Sequence, residues 1–138
     1  MPNGSEQASA YLSEAETTLE SARVLAGDDP DAFASQIVKN AYDALEQALS
    51  AGIAARGEEI PRRHGAKIQR YFEPLDAEGL ERTAFDWHSR RSNAQYVDFR
   101  GSELSVPSKN FDRDDAERSL ADTEKLLEFV RERMDDEA

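Results

Sequence analysis

The chain has no cysteine, which excludes a disulfide framework and any thiolate metal site. Its two histidines, His64 and His88, are far apart in sequence, and neither has a glutamate three residues before it. That excludes the Glu-x-x-His element of di-iron bundles, and nothing else in the chain predicts a metal or cofactor. Gly52 and Gly57 are not followed by Gly-Lys-Ser/Thr, so no phosphate-cradling glycine loop is present. Lysine is scarce, 4 residues against 13 arginines, and 29 Asp and Glu leave a formal charge of -12. An acidic surface of that size is a poor general attractor of nucleic acid. It suits solubility in concentrated salt, where repulsion is screened over about 3 Å at 1 M, so a salt-adapted, halophilic cytoplasm is expected. Long apolar runs are missing too. Nothing approaches the roughly 20 residues that span a bilayer, and the first residues lack the basic start and apolar run of a signal peptide. A soluble, cytoplasmic protein without a membrane partner is expected.

What is present is helical periodicity nearly from end to end. Ala8, Leu12, Ala15, Leu19, Ala22 and Ala26 form one stripe, ended by Gly27-Asp28-Asp29. Pro30 suits the first turn of a second helix behind Asp29 as a cap. That helix carries two adjoining stripes, Phe33, Ile37, Ala41, Ala44, Ala48 and Val38, Tyr42, Leu45, Leu49, Ile53. So wide an apolar arc predicts a central helix with several neighbours, ended by Gly57. A short helix is predicted from about 65 to 72, stopping before Pro74, and a fourth from about 76 to 97. The stretch 98–110 shows no periodic pattern and reads as a loop. Ala116, Leu120, Thr123, Leu127, Val130 and Met134 form the seam of the last helix. No strand pattern competes. The reading is all-α: an antiparallel up-and-down bundle of four long helices and one short one, a single domain over 1–138 with its core at about 6–134.

The acidity is uneven. Residues 56–100 hold nine Arg and Lys against eight Asp and Glu, and Arg56, Arg62, Arg63, Lys67 and Arg70 gather around His64. Such a run is either a solvated helix face or a local site for phosphate or an acidic partner. Within the fourth helix, Arg91 falls on the stripe Leu80, Ala84, Trp87, Arg91, Ala94. A guanidinium stays charged at any usable pH, so it occupies such a face only with a partner.

These elements in this order resemble the HEPN family of helical domains. Asn40-Ala41-Tyr42-Asp43-Ala44-Leu45-Glu46-Gln47-Ala48-Leu49 is similar to the family's Tyr-Ala-hydrophobic-x-x-Ala pattern. Arg63-His64-Gly65-Ala66-Lys67-Ile68 stands in the place of its Thr-His-Ser-Gly-like turn, and Phe72 at its following aromatic position. Arg91-Ser92-Asn93-Ala94-Gln95-Tyr96 resembles its Arg-x-x-Ala-Asp-Tyr element. The resemblance covers about 6–134. It implies one of two things: an RNA-cutting toxin with an Arg-x(4–6)-His motif at a dimer interface, or a member without the motif that partners a small nucleotidyltransferase.

Arg82 and His88 satisfy Arg-x5-His literally, but a short pattern is cheap, and six residues turn about 240° around a helix. Aligned on the better-matching residues, the family's Arg falls on Arg91 and its His on Tyr96. A phenol with pKa near 10 is a poor general base at neutral pH, where an imidazole is well placed. The expected function is therefore a module that binds a nucleotidyltransferase, and nucleotide or RNA through Arg91, Tyr96, Asn93, His64, Arg63 and Lys67, as a homodimer and without strong catalysis. The alternative is a metal-independent ribonuclease of toxin–antitoxin type using Arg82 and His88. Tyr96 and His88 otherwise read as packing residues, Asn93 as an exposed polar one, Trp87 as core and His64 as a turn residue; Arg91 is either a structural arginine or a site residue.

Overall fold

A computed structural model describes residues 4–101 and 103–137; the side chains of Asn93, Gln95, Asp98, Phe99, Arg100 and Glu137 are not among those described. The helices are α1 (Gly4–Asp28), α2 (Ala34–Ala55), α3 (His64–Phe72), α4 (Glu78–Gln95), α5 (Pro107–Asn110) and α6 (Arg113–Glu137). Between α4 and α5, β1 (Asp98–Arg100) and β2 (Glu103–Ser105) pair antiparallel, Phe99 opposite Leu104. This hairpin and the single turn of α5 replace the loop expected at 98–110. Three-residue strands are too short to display a two-residue alternation, so they left no pattern to read. Gly101, with φ of 67°, supplies the left-handed residue of the tight turn.

Helix α2 is the axis of the fold, packed on α1, α3, α4 and α6. Both of its stripes are buried, and Ile37, Leu45, Leu49 and Ile53 have no exposed surface. Burying a Leu or Ile side chain contributes roughly 1.5–3 kcal/mol each, so these four are a large part of what α2 adds to the core. On α1, Ala8, Ala15, Leu19 and Ala22 are buried against it; from α6, Ala116, Leu126, Leu127 and Val130 are. Thr123 ties α6 to the middle of α2, its buried hydroxyl donating to the Ala41 carbonyl at 3.2 Å. Among the described residues no helix is long and apolar enough to cross a membrane.

The ends of α2 set where the rest of the chain goes. Asp29 caps as expected, Oδ1 accepting from the amides of Asp31 and Ala32, but it caps a turn at 30–33, and the helix proper begins at Ala34. At the other end the Glu58 amide donates to Ile53 O and the Gly57 amide to Ala54 O, with Gly57 at φ 75°. That pairing is a Schellman motif, which needs a left-handed residue where Gly57 stands. It turns the chain back so that α3 lies against α2. There Gly52 is required by close approach: a Cβ would stand 2.2 Å from Cε1 of Tyr71. Arg56 then fixes the far end of α3, donating to the carbonyls of Tyr71 (3.0 Å) and Arg70 (3.1 Å) while its guanidinium lies over the Tyr71 ring.

Candidate functional site

Three helices each contribute one pair of polar side chains, spaced three or four residues apart, to a common face. From α2 come Tyr42 and Glu46, from α3 His64 and Lys67, from α4 His88 and Arg91. Residues at that spacing lie one above the other on a helix, so each pair projects together. Glu46 is the hub. Only 9% exposed, it accepts from Nδ1 of His64 at 2.5 Å and from Nζ of Lys67 at 2.8 Å. A buried carboxylate is tolerable when its oxygens are satisfied in this way.

The opposite side of the face is built on His88. Its Nδ1 stands 3.2 Å from the Tyr42 hydroxyl, and its ring lies 6.4 Å, centroid to centroid, from that of His64. Phe85 meets it edge to face. The first turn of α3 packs over the imidazole: a Cβ on Gly65 would lie 3.4 Å from Nε2. The Tyr42 hydroxyl is also within hydrogen-bonding reach of Glu46, so one polar network runs from His88 through Tyr42 and Glu46 to His64 and Lys67.

Burial and charge decide the protonation states. Burial, then the nearby Glu46 charge, pushes the Tyr42 phenol far above its ordinary value, against a smaller opposing effect from Arg91. It stays a phenol at every working pH. Burial pushes the Glu46 carboxyl up, but the hydrogen bonds from Lys67 and His64 outweigh it and hold the group below the usual carboxylate range. His88 is lowered, first by burial, then by the positive charges of Arg91 and His64, with Glu46 opposing. Half-buried Arg91 is therefore a partner to this face through its charge, acting on both Tyr42 and His88.

Of the residues singled out in the sequence, His64, Lys67, His88 and Arg91 come together here. His88, read first as a packing histidine, is a member of the face, and the two histidines are neighbours despite their distance in sequence. No group of three or more His, Cys, Asp or Glu that could hold a metal occurs among the described residues. Arg63 is exposed at the start of α3, where its carbonyl accepts from the Lys67 amide. Arg82 is exposed on α4, and the charges acting on His88 are those of Arg91, His64 and Glu46. The side chain of Asn93 falls outside those described. Tyr96 is 58% exposed at the end of α4, not packed; it lines a separate groove of about 470 Å³ with Ser35, Lys39, Val106 and Pro107. A groove of about 410 Å³ between Tyr11, Ile60, Pro61 and Arg62 opens directly beside Lys67.

Glu46 and Tyr42 were missed as site residues, although both stood in the quoted motif. The signal was there: a carboxylate four residues after Tyr42 on a helix apolar almost all round.

The family model of the HEPN domain matches residues 8–133, and the chain belongs to that family. No curated protein and no solved structure matches it.

Proposed function

We propose that this HEPN domain is a binding module: its α2–α3–α4 face holds the phosphate of a nucleotide or RNA, and the domain docks a protein partner, with little catalysis of its own. The carrying observation is that Lys67 and two imidazoles gather on one face around Glu46, with the Arg91 charge acting on Tyr42 and His88 of the same face, in a chain whose net charge is -12. Cations gathered on one face against the overall charge focus attraction for an anion there. The partner that the family resemblance implies is a small nucleotidyltransferase. The domain is also proposed to act as a homodimer, a closed two-fold pair being the commonest oligomer of soluble domains. Exposed Tyr96, Val97 and Leu104, close together in the chain, offer apolar surface for either contact.

A second reading is favoured by one observation, the 6.4 Å between the two imidazole rings with Glu46 holding one of them. In a metal-independent ribonuclease one imidazole removes a proton and the other supplies one while Arg91 steadies the phosphate charge. This pair is His64 and His88 rather than Arg82 and His88. Incubating labelled RNA with the protein in near-molar KCl and chelator separates the two readings. Stable binding without cleavage, weakened in Arg91→Ala, is the expected result. Cleavage lost in both His64→Ala and His88→Ala makes the domain a nuclease, and cleavage lost in Arg82→Ala would restore the literal motif. Size-exclusion chromatography with light scattering checks the dimer; a monomer at micromolar concentration contradicts it.

A further inference from the structure

The α2–α3–α4 face is specific in how much negative charge it calls for. The Arg91 guanidinium and the Lys67 ammonium are fixed cations, Glu46 is one fixed anion, and His88 can take up a proton. Both Glu46 oxygens are already engaged, Oε2 by His64 and Oε1 by Lys67, so the carboxylate is occupied within the protein. The groups facing His88 are Tyr42 and Glu46 from α2, His64 from α3, and Phe85 and Arg91 from its own helix. In the free protein a proton on His88 meets Arg91 and His64 at close quarters. An anion seated between them reverses that balance.

Resting on the reading of this face as a phosphate site, we infer that it takes a terminal phosphate monoester in preference to an internal phosphodiester, and that His88 takes up a proton as the ligand binds. With His88 protonated, Arg91, Lys67 and His88 carry two positive charges beyond what Glu46 cancels, before His64 is counted. A monoester near neutral pH has about -1.5 to -2 charge and three acceptor oxygens. A diester, with a single negative charge and two free oxygens, leaves half of that charge unmet. Lys67 also lines the groove formed by Tyr11, Glu59, Ile60, Pro61 and Arg62, so the body of a nucleotide or the first residue of an RNA end has an open surface beside it, with Arg62 there to offset Glu59. An RNA end is distinguished from an RNA interior by this chemistry, without reading any base.

The test uses one short RNA sequence carrying either a 5′-phosphate or a 5′-hydroxyl. Binding to the full chain is followed by fluorescence anisotropy between about pH 5.5 and 8, at the lowest KCl that preserves the helical circular dichroism. The phosphorylated RNA is expected to bind about tenfold tighter or more. Its affinity should fall with rising pH more steeply for the wild type than for His88→Gln, the difference approaching about tenfold per pH unit for one linked proton. The ligand's own second ionisation, near pH 6, is common to both proteins and drops out of that difference. Should His88→Gln fail to fold, calorimetry of the wild type with the phosphorylated RNA, in two buffers of different ionisation enthalpy, counts the protons taken up. Equal affinity for the two RNAs overturns the monoester preference and leaves the proposed function standing. Equal pH slopes, or no proton uptake, overturn the role of His88. Binding of neither RNA overturns both this inference and the phosphate site on which it rests.

Discussion

Arg90 and Arg91 are neighbours on α4 and meet opposite fates. Arg90 lies over two aromatic rings, 5.0 Å from the Trp87 centroid and 4.9 Å from that of Phe111, and bonds Oδ1 of Asp115 at 3.1 Å. Trp87 is itself anchored, its Nε1 donating to Asp122 on α6 at 2.8 Å. Hydrogen bonds from the Asp112 amide, Arg90 and Arg118 hold the Asp115 carboxyl low, against a burial effect that would raise it. Arg118 also bonds Asp115 and lies over the Trp87 ring, so both arginines of that corner have a carboxylate and an aromatic face, and the corner joins α4 to α6. Arg91, one residue on, turns to a face where cations outnumber carboxylates. A matched arginine holds a structure together; on the proposed reading, an arginine among surplus cations receives an anion from outside.

The comparison can be broken at several points. Trp87→Ala should cost the most, about 3–5 kcal/mol, since it removes a buried aromatic along with the platform for Arg90; chemical denaturation would measure it. Arg90→Ala should cost about 2 kcal/mol through two lost cation–π contacts and an ion pair, and leave RNA affinity unchanged. A loss of affinity there would mean that the two corners are not separate.

Acid should act on the open face in two stages. The folded His88 pKa lies below its ordinary 6.5, so the unfolded chain takes up that proton first. The stabilisation from His88 is complete above about pH 6.5 and lost as pH falls toward the folded value. Glu46, also lowered from its ordinary 4.5, adds a second loss at more acid pH, as its folded pKa is crossed. The melting temperature should therefore fall from pH 7 to 4, with the upper part of the fall flattened in His88→Gln. A melting temperature that rises on acidification contradicts both signs. The smallest effect belongs to the half-exposed surface pairs: Arg23→Ala, which breaks contacts to Glu20 and Glu124, should change stability by less than about 1 kcal/mol.

Much of the scaffold was readable because it is written locally. Gly57 ends α2 through a motif that only a left-handed residue completes, Pro74 follows the end of α3, and the stripes of α1, α2 and α6 mark their buried faces. Pro30 misled, because Asp29 caps a turn that leads into the helix rather than the helix itself. The candidate face was readable in part. His64, Lys67 and Arg91 could be named from the basic run, the turn motif and the charged residue on an apolar stripe. That they share a face with His88 follows from how α3 folds back over α2 and α4, which depends on Gly52 admitting Tyr71 and on Arg56 holding the end of α3. Neither contact has a sequence period. In the sequence Tyr96 reads both as a binding residue beside Arg91 and as a packing residue; α4 ends just before it and the chain departs into the hairpin, leaving the ring exposed and lining a separate groove.

We propose that Arg91 serves a ligand while Arg90 serves the fold. The most direct test is a crossed pair of measurements on Arg90→Ala and Arg91→Ala: denaturation midpoint, and affinity for a 5′-phosphorylated RNA. Arg90→Ala should lose stability and keep affinity, while Arg91→Ala should lose affinity about tenfold or more and move stability by no more than about 0.5 kcal/mol. If Arg91→Ala instead unfolds as readily as Arg90→Ala and binds RNA as well as the wild type, Arg91 is a structural arginine and the α2–α3–α4 face is not a phosphate site.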